Sequence, residues 1–296
     1  MADYILSCCS SIDITRELID KCGIKFVPFH FFVDGTEYTD DLGESMPYDV
    51  FYGKIKEGAE TRTSQVNISE FVDYFGGFLK QGYDIVHVCL SSGLSGTVNS
   101  AKNAAMILKE QYPERNIYVV DSLGASAGFG LLMVSAAEKR DEGLSAPELA
   151  KWIEDNRLKV HHWFFSTDLS TYVKGGRISK TAAVFGGALH ICPLLNMDNN
   201  GKLIPREKVR TKKRVINEIV DKMEENADDG LNYSGGCFVS AADAAEDAKQ
   251  VAALVEERFP NIKGGKVEVF DIGTVIGSHT GSGTVALFFF GKERVN

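Results

Sequence analysis

Residues that suit an anion are concentrated in four segments that combine glycine with hydroxyl side chains, at 61–65, 91–97, 174–179 and 273–283. The second segment joins a predicted strand to a predicted helix, a position at which open α/β sheets bind their ligands. Free N–H groups and the helix dipole favour anions there, and the hydroxyl of Ser95 or Thr97 adds a donor. The segment suits a carboxylate or a phosphate, although helix capping by the same hydroxyls is an equally good interpretation.

Two chargeable residues lie in the other glycine-rich segments. Arg177 follows two glycines, and its guanidinium group has a geometry that suits oxyanions. His279 stands among small, flexible neighbours, which makes packing in a core less natural. An ordinary surface arginine and a structural histidine are the alternatives. No histidine has the spacing to cysteine or carboxylate residues that is typical of a metal site, so neither a metal nor another cofactor is expected.

Motifs of nucleotide-binding proteins and hydrolases provide a further test. No Gly-Lys pair is followed by Ser or Thr, and no G-x-G-x-x-G opens a helix after a strand. Gly93-Leu94-Ser95-Gly96-Thr97 comes nearer to the nucleophile elbow G-x-S-x-G, which it departs from at the last position. Asp271 and His279 follow in the hydrolase order. A serine-dependent acyl hydrolase that uses Ser95 and His279 is therefore the alternative to a binding protein.

A basic run stands out in the second half of the chain. Six cations fall within residues 206–214, namely Arg206, Lys208, Arg210, Lys212, Lys213 and Arg214. The last three begin a predicted helix, where cations oppose the helix dipole. Such a local conflict indicates an anionic ligand or partner, and a solvated charged face is the alternative.

The elements that must position these segments alternate in the first half. Apolar runs at 4–8, 25–33, 84–90 and 117–121 predict strands, and helical spacing is present at 11–22, 97–112 and 125–140. Pro28 lacks an N–H, which predicts an edge position or an irregularity in the second strand. Nearly continuous apolar strands separated by helices predict a parallel sheet covered on both faces.

The second half has a different pattern. A β-hairpin with an Asn-Gly turn is predicted at 194–204, with strands at 160–166, 236–240, 266–272 and 284–290. Helices are predicted at 146–156, 211–226 and 244–259. Because 296 residues exceed what one hydrophobic core usually supports, we expect two domains. Residues 1–158 would form an α/β/α domain with a mainly parallel sheet, and residues 159–296 an α/β domain with a mixed sheet.

Composition narrows the functional class. A net charge of −9 argues against a nucleic-acid partner or an anionic membrane surface. The N-terminus lacks the pattern of a signal peptide, and the apolar runs are too short for stable membrane insertion. Six cysteines without a C-x-x-C pair are expected to be buried and reduced. These features predict a cytoplasmic protein.

Five motifs in order resemble the DegV family over nearly the whole chain. They are Thr63-Ser64-Gln65, Ser92-Gly93-Leu94-Ser95-Gly96-Thr97, Gly175-Gly176-Arg177-Ile178, Val209-Arg210-Thr211 and Gly273-Thr274-Val275-Ile276-Gly277-Ser278-His279. The resemblance implies a non-enzymatic, two-domain α/β protein that holds a long-chain fatty acid in a tunnel between its domains. In bacterial fatty-acid kinase systems, such a protein offers the carboxylate to a separate ATP-binding kinase subunit, which makes an acyl phosphate.

The resemblance also assigns roles to residues. Thr63 and Ser95 would hydrogen-bond the carboxylate, with Ser64, Gly96 and Thr97 in the same binding segments and His279 close to the head group. Arg177 and Arg210 resemble positions concerned with the head-group entrance and the kinase contact, and Arg206 and Lys208 belong to the same basic run. One departure is that Val66-Asn67 follows Thr-Ser-Gln where the family commonly has proline. A more flexible loop would result.

Apolar residues for a tunnel are plentiful, but the sequence does not separate a tunnel from a core. The candidates are Phe29, Phe31, Phe71, Phe75, Phe129, Phe164, Phe165, Phe185 and Leu189.

Overall fold

The computed structural model of the protein describes residues 4–179 and 191–294. Its first elements are β1 (Tyr4–Cys9), α1 (Arg16–Lys21), β2 (Lys25–Val27), β3 (His30–Val33), β4 (Thr36–Thr39), α2 (Tyr48–Lys56), β5 (Thr61–Ser64), α3 (Ile68–Leu79), β6 (Asp84–Cys89), α4 (Thr97–Gln111) and β7 (Ile117–Asp121). They are followed by α5 (Ser126–Asp141), α6 (Ala146–Asn156), β8 (Val160–Ser166), α7 (Ser170–Lys174), β9 (Ile191–Met197), β10 (Leu203–Arg210), α8 (Lys212–Asn226), β11 (Cys237–Ala242), α9 (Ala245–Arg258), β12 (Glu268–Asp271), α10 (Thr274–Thr280) and β13 (Thr284–Phe290).

The first half builds a parallel sheet in the order β2-β1-β6-β7. Its strands are apolar on both faces because helices cover both. Helix α3 packs on β6, and α6 packs on β6 and β7. The second half builds a mixed sheet in the order β10-β9-β8-β13-β11-β12, in which β11 and β12 are parallel. The predicted fold class, α/β with a parallel sheet followed by a mixed one, is confirmed.

The predicted strand at 25–33 is divided at Pro28. Its first part is β2 of the parallel sheet, and its second part is β3 of a small antiparallel sheet in the order β4-β3-β5. The segment is therefore two strands and not one, while the irregularity expected at Pro28 is present and β2 is an edge strand. The proline cannot donate to a ladder, so the chain leaves the first sheet there. The small sheet matters for the site, since β5 carries Thr63.

Residues Val66 and Asn67, where the family commonly has proline, have a defined structural role. Val66 is fully buried. The Asn67 side chain accepts a hydrogen bond from the Glu70 N–H at 3.1 Å, and the Glu70 carboxylate accepts one from the Asn67 N–H at 2.7 Å. This reciprocal capping box starts α3. The segment therefore leads directly into a helix, and the greater flexibility expected of it stays a prediction.

The mixed sheet has two differently covered faces, as expected from the alternation of side chains along a strand. Helices α8 and α9 pack on the face that carries Phe165, Val239 and Leu287. The opposite face carries Phe164 and Phe288 and meets α5. Helix α5 is buried over most of its surface because it lies between this sheet and α6.

The remaining predictions of individual elements are confirmed in some places and wrong in others. Strands at 160–166 and 284–290 are confirmed to the residue, and five of the six cysteines are buried, Cys22 being half-buried. The segment at 273–283 is not a loop throughout, since it contains α10.

The parallel and small sheets use strands before residue 122, and the mixed sheet uses strands after residue 159. The domain boundary at 158 stays a prediction. Within the described ranges, no helix has the length and apolarity needed to cross a membrane.

Candidate functional site

A cavity of about 450 Å³ lies between the two large sheets, in the size range of small-molecule sites. Its polar end is formed by β5, the 91–97 loop, the 175–177 loop and α10. Its apolar wall comes from both halves of the chain and includes Phe29, Leu90, Leu94, Phe164, Met197, Leu203, Ile272, Val275, Ile276, Ala286 and Phe288. A pocket with a polar end and a long apolar wall suits an amphipathic ligand.

Six of the seven residues predicted to bind the ligand line this cavity: Thr63, Ser64, Ser95, Gly96, Arg177 and His279. They come from four separate segments of the sequence, so their convergence is a result of the fold. Thr97 does not lie at the wall. It is the first residue of α4, and its hydroxyl is buried without a hydrogen-bond partner among the described residues.

Thr63 and His279 form the centre of the polar end. Thr63 Oγ1 lies 2.7 Å from His279 Nε2, which joins β5 to α10 across the chain. Burial, together with the nearby Arg177 guanidinium, lowers the pKa of His279 to about 4. The imidazole is therefore neutral at pH 7, and one of its two nitrogens carries a proton. Its Nδ1 has no hydrogen-bond partner within residues 4–179 and 191–294.

Glycine at 175 is required by the position of His279. A Cβ at this residue would lie 2.5 Å from His279 Nδ1, closer than real Cβ contacts come. Arg177 lies two residues further along this loop. Its guanidinium group donates to the Gly175 carbonyl at 2.6 Å and to the Leu94 carbonyl at 3.1 Å. Arg177 thus joins the 175–177 loop to the 91–97 loop across the polar end.

The 91–97 loop places Ser95 at the N-terminus of α4. Ser95 Oγ accepts from the Thr97 N–H at 3.3 Å. Ser95 precedes the N-cap residue Gly96, and α4 has no side-chain cap hydrogen bond, so the capping interpretation is wrong in its usual form. A hydroxyl that accepts one bond still has its proton to donate. The only contact of that proton within the described ranges is a long one, 3.5 Å to Gln65 Oε1. The contact with the Thr97 N–H and anion binding are therefore compatible at Ser95.

A turn from the second half of the chain supports this loop. Ser91 Oγ donates to the Gly201 carbonyl at 2.8 Å, and Gly201 belongs to the predicted Asn-Gly turn between β9 and β10. A Cβ at Gly93 would lie 2.6 Å from the carbonyl oxygens of Asn200 and Gly201. Only glycine permits this approach, which fixes the loop against the hairpin.

The electrostatics of the polar end favour an anion. Among the described residues that line the cavity, Arg177 is the only one with a permanent charge, and none is a carboxylate. Helix α4 adds the positive end of its dipole. A ligand carboxylate here meets donors and a positive potential without a competing acid.

The hydrolase interpretation requires a hydrogen-bonded Ser95, His279 and Asp271. His279 Nε2 pairs with Thr63, and Ser95 pairs with the Thr97 N–H and with Gln65. No described residue, Asp271 included, bonds the other imidazole nitrogen. Asp271 is exposed. The order of these residues along the chain is thus not matched by triad geometry.

The tunnel candidates separate into wall and core. Phe29 and Phe164 line the cavity. Phe31, Phe71, Phe75, Phe129 and Phe165 are buried in the packing of the sheets and helices instead. Phe185 and Leu189 lie outside the described residues. Polar wall residues that the sequence analysis missed as site residues are Gln65, Ser126, His162, Tyr172, Thr280 and Thr284. Of these, Gln65 was recognisable as part of the first motif.

The basic run begins on β10, an edge strand of the mixed sheet. Arg206 donates to the Asn196 side chain at 2.8 Å. Lys208 and Arg210 are exposed and alternate with buried Val209, whose side chain lies on the face covered by α8. On the helix, Lys212 pairs with Asp247 at 2.8 Å and Arg214 with Glu218 at 3.3 Å. None of the six cations lines the cavity.

Comparisons with known proteins agree with this architecture. The family model described as "Uncharacterised protein, DegV family" matches residues 9–292. A DegV domain-containing protein of Clostridium perfringens is 35% identical over 294 residues, which cover 99% of each chain. The solved structure of DegV, a fatty acid binding protein from Bacillus subtilis, is 26% identical with a TM-score of 0.83 and covers 99% of this chain and 100% of that chain. A stearic acid-binding protein from Eubacterium ventriosum is 26% identical with a TM-score of 0.84 and coverages of 98% and 99%. The chain belongs to the DegV family.

Proposed function

We propose that the protein binds one long-chain fatty acid in the 450 Å³ cavity, with the carboxylate at the Thr63–Ser95 end. The observation that carries the proposal is the convergence of two hydroxyls, Arg177 and a helix N-terminus at one end of a cavity with a large apolar wall. Solved relatives of the same fold, from Bacillus subtilis and Eubacterium ventriosum, bind fatty acids.

The hydrogen-bond polarity at Thr63 follows from the chemistry of the ligand. A carboxylate only accepts hydrogen bonds, so the single Thr63 proton must point toward it. The 2.7 Å contact with His279 must then be donated by the imidazole, which requires the proton on Nε2. The neutral His279 thereby orients Thr63 without bringing a charge of its own. Ser95 supplies the second donor.

The apolar wall supplies most of the affinity. Burying ~12 methylene groups at ~0.8 kcal/mol each contributes about 10 kcal/mol before the costs of ordering the ligand. Release is expected to be slow enough for the lipid to survive purification.

We expect the protein purified under native conditions to carry close to one fatty acid per chain. Denaturing extraction followed by mass spectrometry measures the amount and identifies the chain. A sample stripped on a hydrophobic resin should bind added oleate or palmitate again, which controls for incomplete loading in the cell. Stripped protein that takes up neither acid would contradict the proposal.

We further propose that the protein does no chemistry on the lipid and presents its carboxylate to an ATP-binding kinase subunit in the cytoplasm. The basic residues Lys208 and Arg210 support this step, because they are exposed on an edge strand and do not line the cavity. Charges of this kind act mainly on the rate of association with an acidic or phosphate-bearing partner.

Arg210→Ala should leave fatty-acid retention unchanged and slow acyl-phosphate formation when a fatty-acid kinase subunit and ATP are supplied. Higher salt should reduce the difference from wild type, because exposed charges are screened over ~8–10 Å. A higher concentration of the binding protein should also reduce it. Acyl-phosphate formation at several salt concentrations is the measurement.

Arg16→Ala is the matched control for this variant, since Arg16 is an exposed arginine at the other end of the chain. It forms ion pairs with Asp20 and Glu44 and lies over the Phe26 ring, away from the cavity wall. Arg16→Ala should behave as wild type. Equal turnover of Arg210→Ala and Arg16→Ala at low salt, or loss of lipid from Arg210→Ala, would show that the basic run has another purpose.

A further inference from the structure

A cluster of three metal-ligating side chains lies in the parallel sheet, apart from the cavity. The register of β1 and β6 pairs Cys8 with Val88, so Cys9 comes beside Cys89 on the neighbouring strand. His87 precedes Cys89 by two residues and therefore shares its face of the sheet. The ligand atoms of Cys9, His87 and Cys89 all lie within 4.8 Å of one another. None of the three lines the cavity.

The histidine of this cluster is held in the orientation of a ligand. Ser7 Oγ lies 2.7 Å from His87 Nδ1, while His87 Nε2 faces Cys9 Sγ at 3.8 Å. The rings of Phe71 and Phe75 pack edgewise on the imidazole at centroid distances of 5.3 and 5.1 Å. If Nδ1 donates its proton to Ser7, the Nε2 lone pair points toward the two thiols. A histidine that binds a metal characteristically donates from its other nitrogen in this way.

We propose that Cys9, His87 and Cys89 bind a thiophilic d10 metal ion, namely zinc or copper(I). Two thiolates and an imidazole are soft or intermediate ligands, which suit these ions and not magnesium or calcium. At bond lengths of ~2.3 Å to sulfur and ~2.0 Å to nitrogen, the two ligand atoms lie about 3.5–3.8 Å apart. The 3.8 Å between Cys9 Sγ and His87 Nε2 matches that separation.

Burial limits what the site can hold. All three residues are fully buried, and a buried uncompensated charge is costly. Two thiolates neutralise a zinc ion, and binding releases the two thiol protons to solvent. A copper(I) ion is satisfied by two soft thiolates and one imidazole, but it leaves one net negative charge buried. Spacing along the chain does not predict this site, because Cys9 lies far from the other two ligands in sequence.

The alternative is that the thiols are small hydrophobic side chains in a core, as free cysteines often are. Cys237 represents that case. It is a buried strand cysteine of the mixed sheet, and it belongs to none of the metal-ligating groups found among the described residues. Cys237→Ala is therefore the matched control for Cys9→Ala and Cys89→Ala.

The test uses full-length protein produced under reducing conditions, with zinc in one arm and anaerobically supplied copper(I) in the other. After washing with EDTA, elemental analysis should find about one ion per chain in wild type and in Cys237→Ala in at least one arm. Cys9→Ala and Cys89→Ala should retain at least tenfold less. Circular dichroism shows whether each variant is folded.

X-ray absorption at the metal edge provides a measurement that needs no variant. Wild type should show two sulfur neighbours at ~2.3 Å and one nitrogen at ~2.0 Å. Metal-free wild type in both arms, a shell of oxygen neighbours, full retention by both ligand variants, or a Cys9–Cys89 disulfide in the reduced sample would each overturn the proposal. None of these outcomes bears on fatty-acid binding.

Discussion

The double variant Thr63→Val/Ser95→Ala is expected to lose its fatty acid during purification while keeping its fold. A hydrogen bond to a charged group contributes roughly 1.5–3 kcal/mol, so each substitution alone should weaken binding by about tenfold or more. Together they remove both hydroxyl donors from the polar end, and the expected loss is about 100-fold or more if the two effects add. Titration of stripped protein with a fluorescent fatty acid measures the affinities.

Valine keeps the shape of threonine, and the substitution at Thr63 removes both the donor to the carboxylate and the hydrogen-bond partner of His279 Nε2. The chain offers matched controls for both positions. Thr61 lies on the same strand, donates to the Ser278 carbonyl at 3.2 Å and does not line the cavity. Ser92 is an exposed residue of the same loop as Ser95 and also lies outside the wall. Thr61→Val/Ser92→Ala should bind as wild type does. Equal affinity of the two double variants would place the carboxylate elsewhere.

Sequence alone predicts the elements that depend on local signals. The parallel strands of the first half are continuous apolar runs, and the helices that separate them have clear 3.6-residue spacing. The hairpin turn at 198–201 is recognisable from its Asn-Gly pair. These signals come from neighbouring residues, so no knowledge of distant contacts is needed to read them.

The elements that sequence analysis missed depend on partners elsewhere in the fold. Strand β5 is four residues long and polar on its exposed side, and it forms because β3 offers an edge. Helix α10 contains two threonines, a serine and a glycine, which have low helix propensity. At its N-terminus, the Thr274 hydroxyl donates a hydrogen bond to the Asp40 carboxylate at 2.8 Å. Tertiary contacts override local preference in both cases.

The candidate site, too, is predictable where local signals mark it and not where it depends on tertiary contacts. Glycine-rich segments indicate where the backbone comes close to something, and Ser95 and His279 are recognisable from them. The pairing of Thr63 with His279 spans more than two hundred residues, and no spacing rule predicts it. Apolar residues carry no signal that separates wall from core, which is why Phe71 and Phe129 were indistinguishable from Phe29 and Phe164 before the fold was known.

A buried acid beside the cavity gives the stability of the protein an expected dependence on pH. Ser126, a residue of the cavity wall, donates to the Asp13 carboxylate at 2.5 Å and lies 3.2 Å from Ser240. Burial raises the pKa of Asp13 from 3.8 to about 7; the Ser126 and Gly273 hydrogen bonds oppose this rise, and the Asp40 and Asp271 carboxylates add to it. Between these two values the folded protein holds a proton that the unfolded chain has released.

Folding stability should therefore fall as pH rises through this window and level off above pH 7. With ~1.4 kcal/mol for each pKa unit, the loss between pH 5 and pH 8 is about 2–3 kcal/mol. Asp13→Asn has no charge to bury, so its free energy of unfolding should rise relative to wild type by that amount over the same range. Urea unfolding at a series of pH values measures the difference.

Other buried groups titrate as well, but they are common to both proteins. Burial lowers the pKa values of His161 and His279 to about 4, so their neutral forms favour folding and their contribution is lost as pH falls below 6.5. Subtracting the two curves leaves the contribution of Asp13, together with the change that its loss causes in the titration of the neighbouring Asp40 and Asp271. The matched control is Asp34→Asn, since Asp34 is exposed and has a φ of 48°, close to the 47° of Asp13; both positions demand a left-handed backbone that asparagine also tolerates. A difference curve for Asp13→Asn as flat as the one for Asp34→Asn would show that Asp13 is ionised in the folded protein throughout. The hydrogen bonds from Ser126 and Gly273 would then stabilise the ionised Asp13 carboxylate more strongly than burial destabilises it.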